Sequence, residues 1–347
     1  MGQLGAEIPK ALIEVEGRTL LERSVETLHK IGVSRIIVVV GHLGEQIVQR
    51  DFEIVHQDKQ LGLAHAIATA KPDDDFVILC PDNVYTDDTD LIRAREVFES
   101  NNAAFLLVAT VTPNTQRDRK SYFTSARRNL EPNVYDYNAT SNGSGLAINS
   151  TGCTFFKREA LDFLPSFADT TREHIFRDYL DAILKERDGL IYLLRGMRYD
   201  FSAPNDIEHY LNLKSQLNDT QGQGVSAILI NPLGQVLLQQ RDDNPAIRYP
   251  GHWSLFGGTV EDGESPADAT AREVHEEIDF KLRNFGLFRE FVQNNKREFA
   301  FAGELSAGLD ELTLSEGQGM NLFYPEQLKE LQIRPDDKDT LEKYFGG

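Results

Sequence analysis

Three glutamates in the second half of the chain have the spacing of metal ligands on one side of a helix. Glu273, Glu276 and Glu277 lie in the segment GTVEDGESPADATAREVHEEIDF, residues 258–280. At about 100° per residue, their side chains fall within one arc of a helix. Carboxylates at these spacings repel one another, and a hard cation such as Mg²⁺ or Mn²⁺ relieves that repulsion. The segment therefore predicts a site where a divalent metal polarises a phosphoryl oxygen and orients a diphosphate.

The residues around the glutamates predict where the helix begins and which face it buries. Ser265 is a good N-cap, Pro266 suits the first helical position, and Asp268 completes a capping pattern. Apolar residues form a narrow stripe roughly opposite the glutamates: Ala267, Ala271, Val274 and Ile278. The alternative interpretation is an ordinary solvated acidic face, which is what most charged helix faces are.

The complete spacing argues against that alternative. The pattern G-x5-E-x7-R-E-x-x-E-E begins at Gly258 and places Glu264 eight residues before Arg272. Here the chain resembles the Nudix (MutT-like) hydrolases, whose signature it matches residue by residue. The departure is Asp279, where the family usually has glycine after the helix, and Asp adopts left-handed geometry at some cost. We expect this departure to affect the shape of the loop more than the chemistry.

The resemblance implies a role for each matching residue. Arg272 is expected to form an ion pair with Glu264 that locks the loop against the helix. Two residues stay open as the general base: Glu273, and Glu316 in the later segment LSEGQGMNLFYPEQL, which is equally well explained as a surface glutamate. The expected metal ligands are Glu273, Glu276, Glu277 and Gly258.

Substrate identity is not readable from the sequence, although the resemblance implies a nucleoside diphosphate derivative, either a nucleotide sugar or an NTP. Four side chains flank the glycine turn: Arg241, Tyr249, Trp253 and Phe256. They contact a base or a phosphate in one interpretation, with Arg241 as the substrate-binding candidate. The aromatic residues are core in the other interpretation, because WSLF reads as a buried strand.

The elements that must position these residues form two domains. Residues 1–215 alternate helical and strand patterns, for example RTLLERSVETLHKIG before RIIVVVG. Such alternation predicts a doubly wound, Rossmann-like α/β domain whose parallel sheet has helices on both faces. Residues 216–223 are polar and contain glycine, which indicates a linker. Short strands then surround the metal helix within residues 224–347 and predict a small α/β/α sandwich.

The first domain resembles the sugar-1-phosphate nucleotidyltransferases over most of its length. The segments that carry the resemblance are IPKALIEVEGRTLLERSVETL (8–28), QDKQLGLAHAIATA (57–70), CPDN (80–83) and RYDFSAPNDIEHY (198–210). It implies that Lys10 binds phosphate, that Gln57 and Gly62 approach the nucleotide, and that Asp82 and Asp200 bind a metal. Taken singly, Lys10, Asp82 and Asp200 are better explained as surface, turn and loop residues, and their order along the chain favours the resemblance. An aspartate after a strand fits the rule that open α/β sheets bind ligands at strand carboxyl ends.

One element of that family has no counterpart in the chain. The family has a strand and a loop, L-A-A-G-x-G-x-R, before the segment at 8–28, where this chain reads MGQLGAE. Without them we expect the sheet to lose an inner strand and the triphosphate to lose its backbone cradle. Three hypotheses stay open: a Nudix hydrolase with a nucleotide-binding neighbour domain, a bifunctional transferase and hydrolase, and a non-catalytic nucleotide-sensing module.

The composition limits the classes of molecule that the protein is expected to bind. The 347 residues carry a net charge of −19, which argues against binding to nucleic acid or to anionic membranes. Cys80 and Cys153, the only cysteines, lie in apolar strand-like runs and indicate reduced thiols of a cytoplasmic protein. The longest apolar runs are strand length and far short of a membrane span. We therefore expect a small-molecule nucleotide partner, and self-association stays open.

Overall fold

A computed structural model describes residues 8–48, 51–113, 121–123, 132–137, 146–167, 176–203 and 205–346. Its α-helices are α1 Leu20–Lys30, α2 Leu63–Ala70, α3 Thr89–Ser100, α4 Phe176–Ile183, α5 Asp206–Leu217, α6 Pro266–Ile278 and α7 Pro335–Phe345. Its first strands are β1 Glu14–Val15, β2 Arg18–Thr19, β3 Ile37–Val40, β4 Glu53–His56, β5 Phe76–Leu79, β6 Asn83–Tyr85, β7 Phe105–Val111, β8 Ser121–Phe123 and β9 Val134–Asp136. The others are β10 Ala147–Phe156, β11 Gly189–Leu193, β12 Arg198–Asp200, β13 Gln223–Ile230, β14 Val236–Gln240, β15 Trp253–Ser254, β16 Phe285–Gln293, β17 Lys296–Glu304 and β18 Gly319–Phe323. Short 3-10 helices cover Lys10–Leu12, Gly44–Gln46, Arg158–Phe167, Leu309–Glu311 and Pro325–Glu330.

A six-stranded sheet forms the centre of the first half, in the order β5-β10-β7-β11-β9, with β8 paired to β10. The parallel pairing that the sequence predicts holds for β7 with β11 and for β3 with β4. The sheet is nevertheless mixed, because β10 runs antiparallel to both β5 and β7. The pair β3–β4 forms a separate sheet, and the described residues contain no ladder between it and β5.

Strand β7 shows why helices cover both faces of this sheet. All but one of its residues are buried, and successive side chains point to opposite faces. Phe105 and Leu107 belong to the core cluster that includes residues of α2 and α4. Leu106 and Val108 belong to the cluster that includes α3. A continuous apolar run of strand length therefore has a helical layer on each side.

The second half is an α/β/α sandwich around a sheet of order β15-β14-β13-β17-β16, with β18 paired to β14. Val225 and Leu229 of β13 pack in the cluster that contains the buried stripe of α6. Ile228 and Ile230, on the other face of the same strand, share a cluster with residues of α7.

The two halves share buried contacts. Asn133, next to β9, is 1% exposed, and its backbone N–H donates to Asn284 Oδ1 at 2.9 Å. Its side-chain amide donates to the carbonyls of Leu193 and Phe285, and its Oδ1 accepts from the Phe285 N–H, each at 3.0 Å. These hydrogen bonds satisfy buried backbone groups of both halves that would otherwise bond to water. The two halves are therefore held together by a buried polar contact. Within the described ranges, no helix is both long enough and apolar enough to cross a membrane.

Candidate functional site

Helix α6 has well-defined ends. Ser265 Oγ accepts a hydrogen bond from the Asp268 N–H at 3.1 Å, and Pro266 occupies the first turn, where its missing N–H costs nothing. Asp279 ends the helix in left-handed geometry, with φ 51° and ψ 34°. Ile278 is fully buried at the last turn, which ties this end of α6 to the sheet.

Arg272 connects the loop before α6 to the glutamates on the helix. Its Nε and Nη2 each donate to one oxygen of Glu264 at 3.0 Å, and Nη2 also donates to the carbonyl of Thr259 at 3.0 Å. Its Nη1 donates to Glu273 Oε1 at 3.0 Å and to Glu276 Oε2 at 3.2 Å. The hydrogen bonds from Arg272 hold the pKa of Glu264 below its ordinary value. One guanidinium therefore orients three carboxylates.

Glu277 lies deeper than the helical pattern predicts, because it is 8% exposed although we placed it on the polar face. Two donors replace its lost water: Gln239 Nε2 at 3.0 Å and the Gly257 N–H at 2.9 Å. Burial raises the pKa of Glu277 to about 7, and the charges of Glu273 and Glu316 act in the same direction. The sequence gives little indication of this burial, because the burial of Glu277 depends on a partner, Gln239, that lies on the distant strand β14.

Glu273 lies against the glycine turn. A Cβ at Gly258 would come within 2.3 Å of Glu273 Oε1, so only glycine leaves room for this carboxylate. The Gly258 carbonyl accepts from the Val225 N–H at 2.9 Å and retains a second lone pair. Carboxylate and carbonyl oxygens are the ligands that Mg²⁺ and Mn²⁺ prefer, so this donor set fits a hard cation.

The three glutamates do not yet enclose an ion. In the part of the chain that the structure describes, no three His, Cys, Asp or Glu side chains are grouped closely enough to hold a metal. Arg272 holds Glu273 and Glu276, whereas Glu277 turns towards Gln239. Arg272 binds one oxygen of Glu273 and one oxygen of Glu276, so the second oxygen of each carboxylate remains available to a cation.

A cavity of about 390 Å³ opens beside α6. Glu277, Gly258 and Glu316 line it, and the Ser315 N–H donates to the Glu277 carbonyl at 2.8 Å, which holds the loop of Glu316 against the helix. Arg241 also lines this cavity. Most of the side chains that line this cavity are polar or charged, which suits a charged ligand such as a phosphate compound better than an apolar one.

The aromatic side chains that flank the glycine turn were expected either to contact a ligand or to pack in the core, and the structure shows both arrangements. Phe256 is fully buried and lines the cavity, so it is both core and wall. Trp253 packs edge-on against Phe323 at 4.8 Å between ring centroids, away from the cavity lining. Tyr249 contacts His252 and does not line the cavity.

A second polar cluster lies in the first half, where β6 pairs antiparallel with β12. The register places Asp200 opposite Asn83, next to Asp82. Lys10 Nζ lies 2.7 Å from Asp82 Oδ2. Sequence reasoning missed Arg198, which donates to Asn83 Oδ1 and to Asp200 Oδ2, the latter at 3.4 Å. The alternation of side chains along a strand could have identified Arg198, because residues two positions apart, such as Arg198 and Asp200, point to the same face.

Gln57 and Gly62 lie together at the start of α2. Gln57 Nε2 is 2.7 Å from His65 Nδ1 and 3.4 Å from the Gly62 carbonyl. Gly62 precedes the helix with φ 87°, a conformation that favours glycine. Gln57 also lines a cavity of about 460 Å³ at the carboxyl ends of β3 and β4, together with His42 and His56.

Comparisons with known proteins match the two halves of the chain to two different families. Residues 1–176 match the MobA-like NTP transferase domain family, and residues 220–344 match the NUDIX domain family. The UTP–glucose-1-phosphate uridylyltransferase AglF of Haloferax volcanii is 31% identical over 109 residues, which are 28% of this chain and 45% of that protein. The uncharacterized Nudix hydrolase PA4841 of Pseudomonas aeruginosa is 32% identical over 132 residues, 36% of this chain and 78% of that protein.

Solved structures agree with the fold of the first half. An apo UDP-glucose pyrophosphorylase has a TM-score of 0.53 at 16% identity, over 63% of this chain and 94% of that chain. The chain spans less than half the length of the nucleotidyltransferase relatives that head the comparison. The chain belongs to the MobA-like NTP transferase family through residues 1–176 and carries a Nudix hydrolase domain over residues 220–344.

Proposed function

We propose that the Nudix domain is a Mg²⁺- or Mn²⁺-dependent hydrolase that cleaves the diphosphate of a nucleoside diphosphate derivative, a nucleotide sugar or an NTP. The observation that carries the proposal is the network of Arg272, which binds Glu264, Glu273 and Glu276 next to a cavity that Gly258 and Glu277 line. A solvated acidic helix needs neither this arginine nor a glycine opposite one of its glutamates. A site that positions oxygen ligands beside a cavity needs both.

In this proposal the residues of the site bind the metal, supply the general base and contact the substrate. Glu273, Glu276, Glu277 and the Gly258 carbonyl would hold the cation, which when bound withdraws charge from a phosphoryl oxygen. Water attacks one phosphorus, the bridging P–O bond breaks, and a base takes the proton from the water. Glu273 and Glu316 are the candidate bases, and Glu316 lies on the cavity wall. Arg241 would contact the phosphates or the base from the same wall.

For the first domain, which we propose to end at residue 215 before a linker at 216–223, we propose nucleotide binding. Asp82 directly precedes β6 and Asp200 ends the paired strand β12, so both carboxylates could bind a divalent cation, and Lys10 would add a phosphate contact. The second candidate function is a bifunctional enzyme that also joins an NTP to a sugar 1-phosphate. The proximity of Lys10 to Asp82 favours it, since both would face one transferring phosphoryl group.

The hydrolase proposal is tested with Glu276→Gln in the full chain. Because Glu276 is exposed, the change keeps the fold and removes one anionic ligand. Cleavage of nucleotide sugars and NTPs with Mg²⁺ should fall by at least roughly 100-fold, while the exposed control Glu330→Gln keeps wild-type rates. Full activity of Glu276→Gln contradicts the proposal. Pyrophosphate release from NTPs with a panel of sugar 1-phosphates tests the second activity, and its absence across the panel contradicts it.

A further inference from the structure

Gln239 is a buried polar side chain between α6 and the sheet. Side chains two positions apart on a strand share a face, so Gln239 points to the same side of β14 as Leu237, which packs with the apolar stripe of α6. The backbone of β14 is paired on both edges at this position, with Ser254 of β15 and Met320 of β18. Gln239 is 6% exposed and lines the cavity beside α6. A strand that is fixed on both sides therefore holds an amide next to the candidate metal ligands.

The Gln239 amide and a backbone N–H together orient the carboxylate of Glu277. Gln239 Nε2 donates to Glu277 Oε1 at 3.0 Å, and the Gly257 N–H donates to Oε2 at 2.9 Å. A Cβ at Gly257 would lie 2.1 Å from the carbonyl oxygen of Val225, so close backbone packing fixes the second donor. Each carboxylate oxygen thus accepts one hydrogen bond from a fixed donor and keeps a further lone pair for a cation.

The donors to Glu277 are neutral, unlike the donor to the other two glutamates. Arg272 is a cation, and it binds one oxygen each of Glu273 and Glu276. Within the described ranges, no lysine or arginine forms an ion pair with Glu277, whose side-chain hydrogen bonds come from an amide and a backbone N–H. These donors replace the water that burial removes and leave the negative charge of the carboxylate unbalanced. Since an unpaired buried charge is unfavourable, a cation bound at Glu277 relieves that cost.

The same amide lies against the loop that carries Glu316. A Cβ at Gly317 would come within 3.3 Å of Gln239 Oε1. The Gln318 N–H donates to the Gln240 carbonyl at 2.8 Å, which holds this loop on β14. The amide is therefore enclosed between α6 and the loop, and this enclosure limits how far it can turn away from the carboxylate.

We propose that Gln239 is a positioning residue, whose amide holds Glu277 in the orientation in which that carboxylate binds a divalent cation. The inference rests on the proposed function, because it assigns Gln239 to the metal site of the hydrolase. The alternative is an ordinary buried hydrogen bond that stabilises the fold and does nothing else. The two roles differ in the folded protein, since loss of the hydrogen bond weakens metal binding only if the bond sets the position of the ligand.

Mn²⁺ binding to the full chain without nucleotide tests the inference, with the electron paramagnetic resonance signal of free Mn²⁺ as the readout. Every protein also carries Asp82→Asn, which removes a ligand from the second candidate metal site, so the titration reports the site on α6. Gln239→Met keeps the length of the side chain and removes the donor, so the Kd for Mn²⁺ should rise by roughly tenfold or more. Gln240→Met is the matched control and should keep the parent Kd, because Gln240 points to the other face of β14 and donates to the Gly251 carbonyl at 3.3 Å.

Thermal unfolding without metal separates the two roles of the hydrogen bond. A Gln239→Met protein that unfolds at a lower temperature yet binds Mn²⁺ as tightly as its parent overturns the inference, because the bond then serves the fold alone. Gln239→Asn decides the matter if Gln239→Met does not fold. Its amide is one methylene too short to reach Glu277, so Mn²⁺ binding should weaken as well, and parent affinity in this variant overturns the inference.

The outcome for Gln239 is distinguishable from the outcome for the hydrolase. Unchanged Mn²⁺ affinity in Gln239→Met, together with nucleotide cleavage by the wild-type chain, sinks the positioning role and leaves the hydrolase standing. Weaker Mn²⁺ binding in Gln239→Met, together with no cleavage by the wild-type chain in Mg²⁺, supports the positioning role and contradicts the proposed function.

Discussion

Arg272 and Glu264 form a two-pronged ion pair in which Nε and Nη2 each donate to one carboxylate oxygen at 3.0 Å. The pair joins the loop before α6 to the middle of the helix. The remaining nitrogen of the same guanidinium reaches Glu273 and Glu276. The position of two candidate metal ligands on the helix thus depends on a contact to the loop that precedes it.

Arg272→Lys should lower kcat by roughly 10- to 100-fold, because lysine cannot form the planar fork that orients both the loop and the glutamates. The Mg²⁺ concentration for half-maximal activity should rise as well, which a loss of stability alone would not produce. Arg289→Lys, at the arginine that pairs with Asp339 on the surface of α7, is the matched control. Wild-type kcat and metal dependence in Arg272→Lys would show that the fork is not needed.

Gly258→Ala should reduce activity by roughly tenfold or more while the protein stays folded. The new Cβ would displace the flexible carboxylate of Glu273, not a backbone atom. Gly319→Ala is a suitable control, because a Cβ at Gly319 meets nothing within 4 Å. Steady-state rates and thermal unfolding should be measured for both variants. If the Gly258→Ala protein is as active as the Gly319→Ala protein, the close contact between Gly258 and Glu273 is not needed for catalysis.

Asn133→Ala should lower the free energy of unfolding by about 2–4 kcal/mol, because it leaves buried backbone groups of both halves without partners. Asn133 also has a φ of 64°, which alanine adopts with strain. Asn295 has a φ of 61° and an exposed side chain, so Asn295→Ala measures the strain alone. Denaturant unfolding of both variants gives the difference due to the hydrogen bonds. Equal losses would mean that the contact between the halves contributes nothing.

Several elements could be predicted because their signal is local. The capping residues and apolar stripe of α6 act within a few turns, and the structure has the helix over Pro266–Ile278. The apolar runs that predict β3, β5 and β7 are likewise strands. Strand β10 has a weaker signal, since polar residues and Gly152, which has a φ of 72°, interrupt the apolar residues around Cys153 in AINSTGCTFF. Its partners on both sides, β5 and β7, decide its conformation.

The sequence by itself determined the spacing of the glutamates on α6 and the resemblance to two families, because both are properties of contiguous segments. Only the tertiary structure decided that Glu277 is buried against Gln239, that Arg198 lies beside Asp200, and that Glu298 faces the cavity. These positions depend on strands that are distant in the chain and adjacent in a sheet. Burial, and the need for hydrogen-bond partners that burial creates, exist only once those strands are paired.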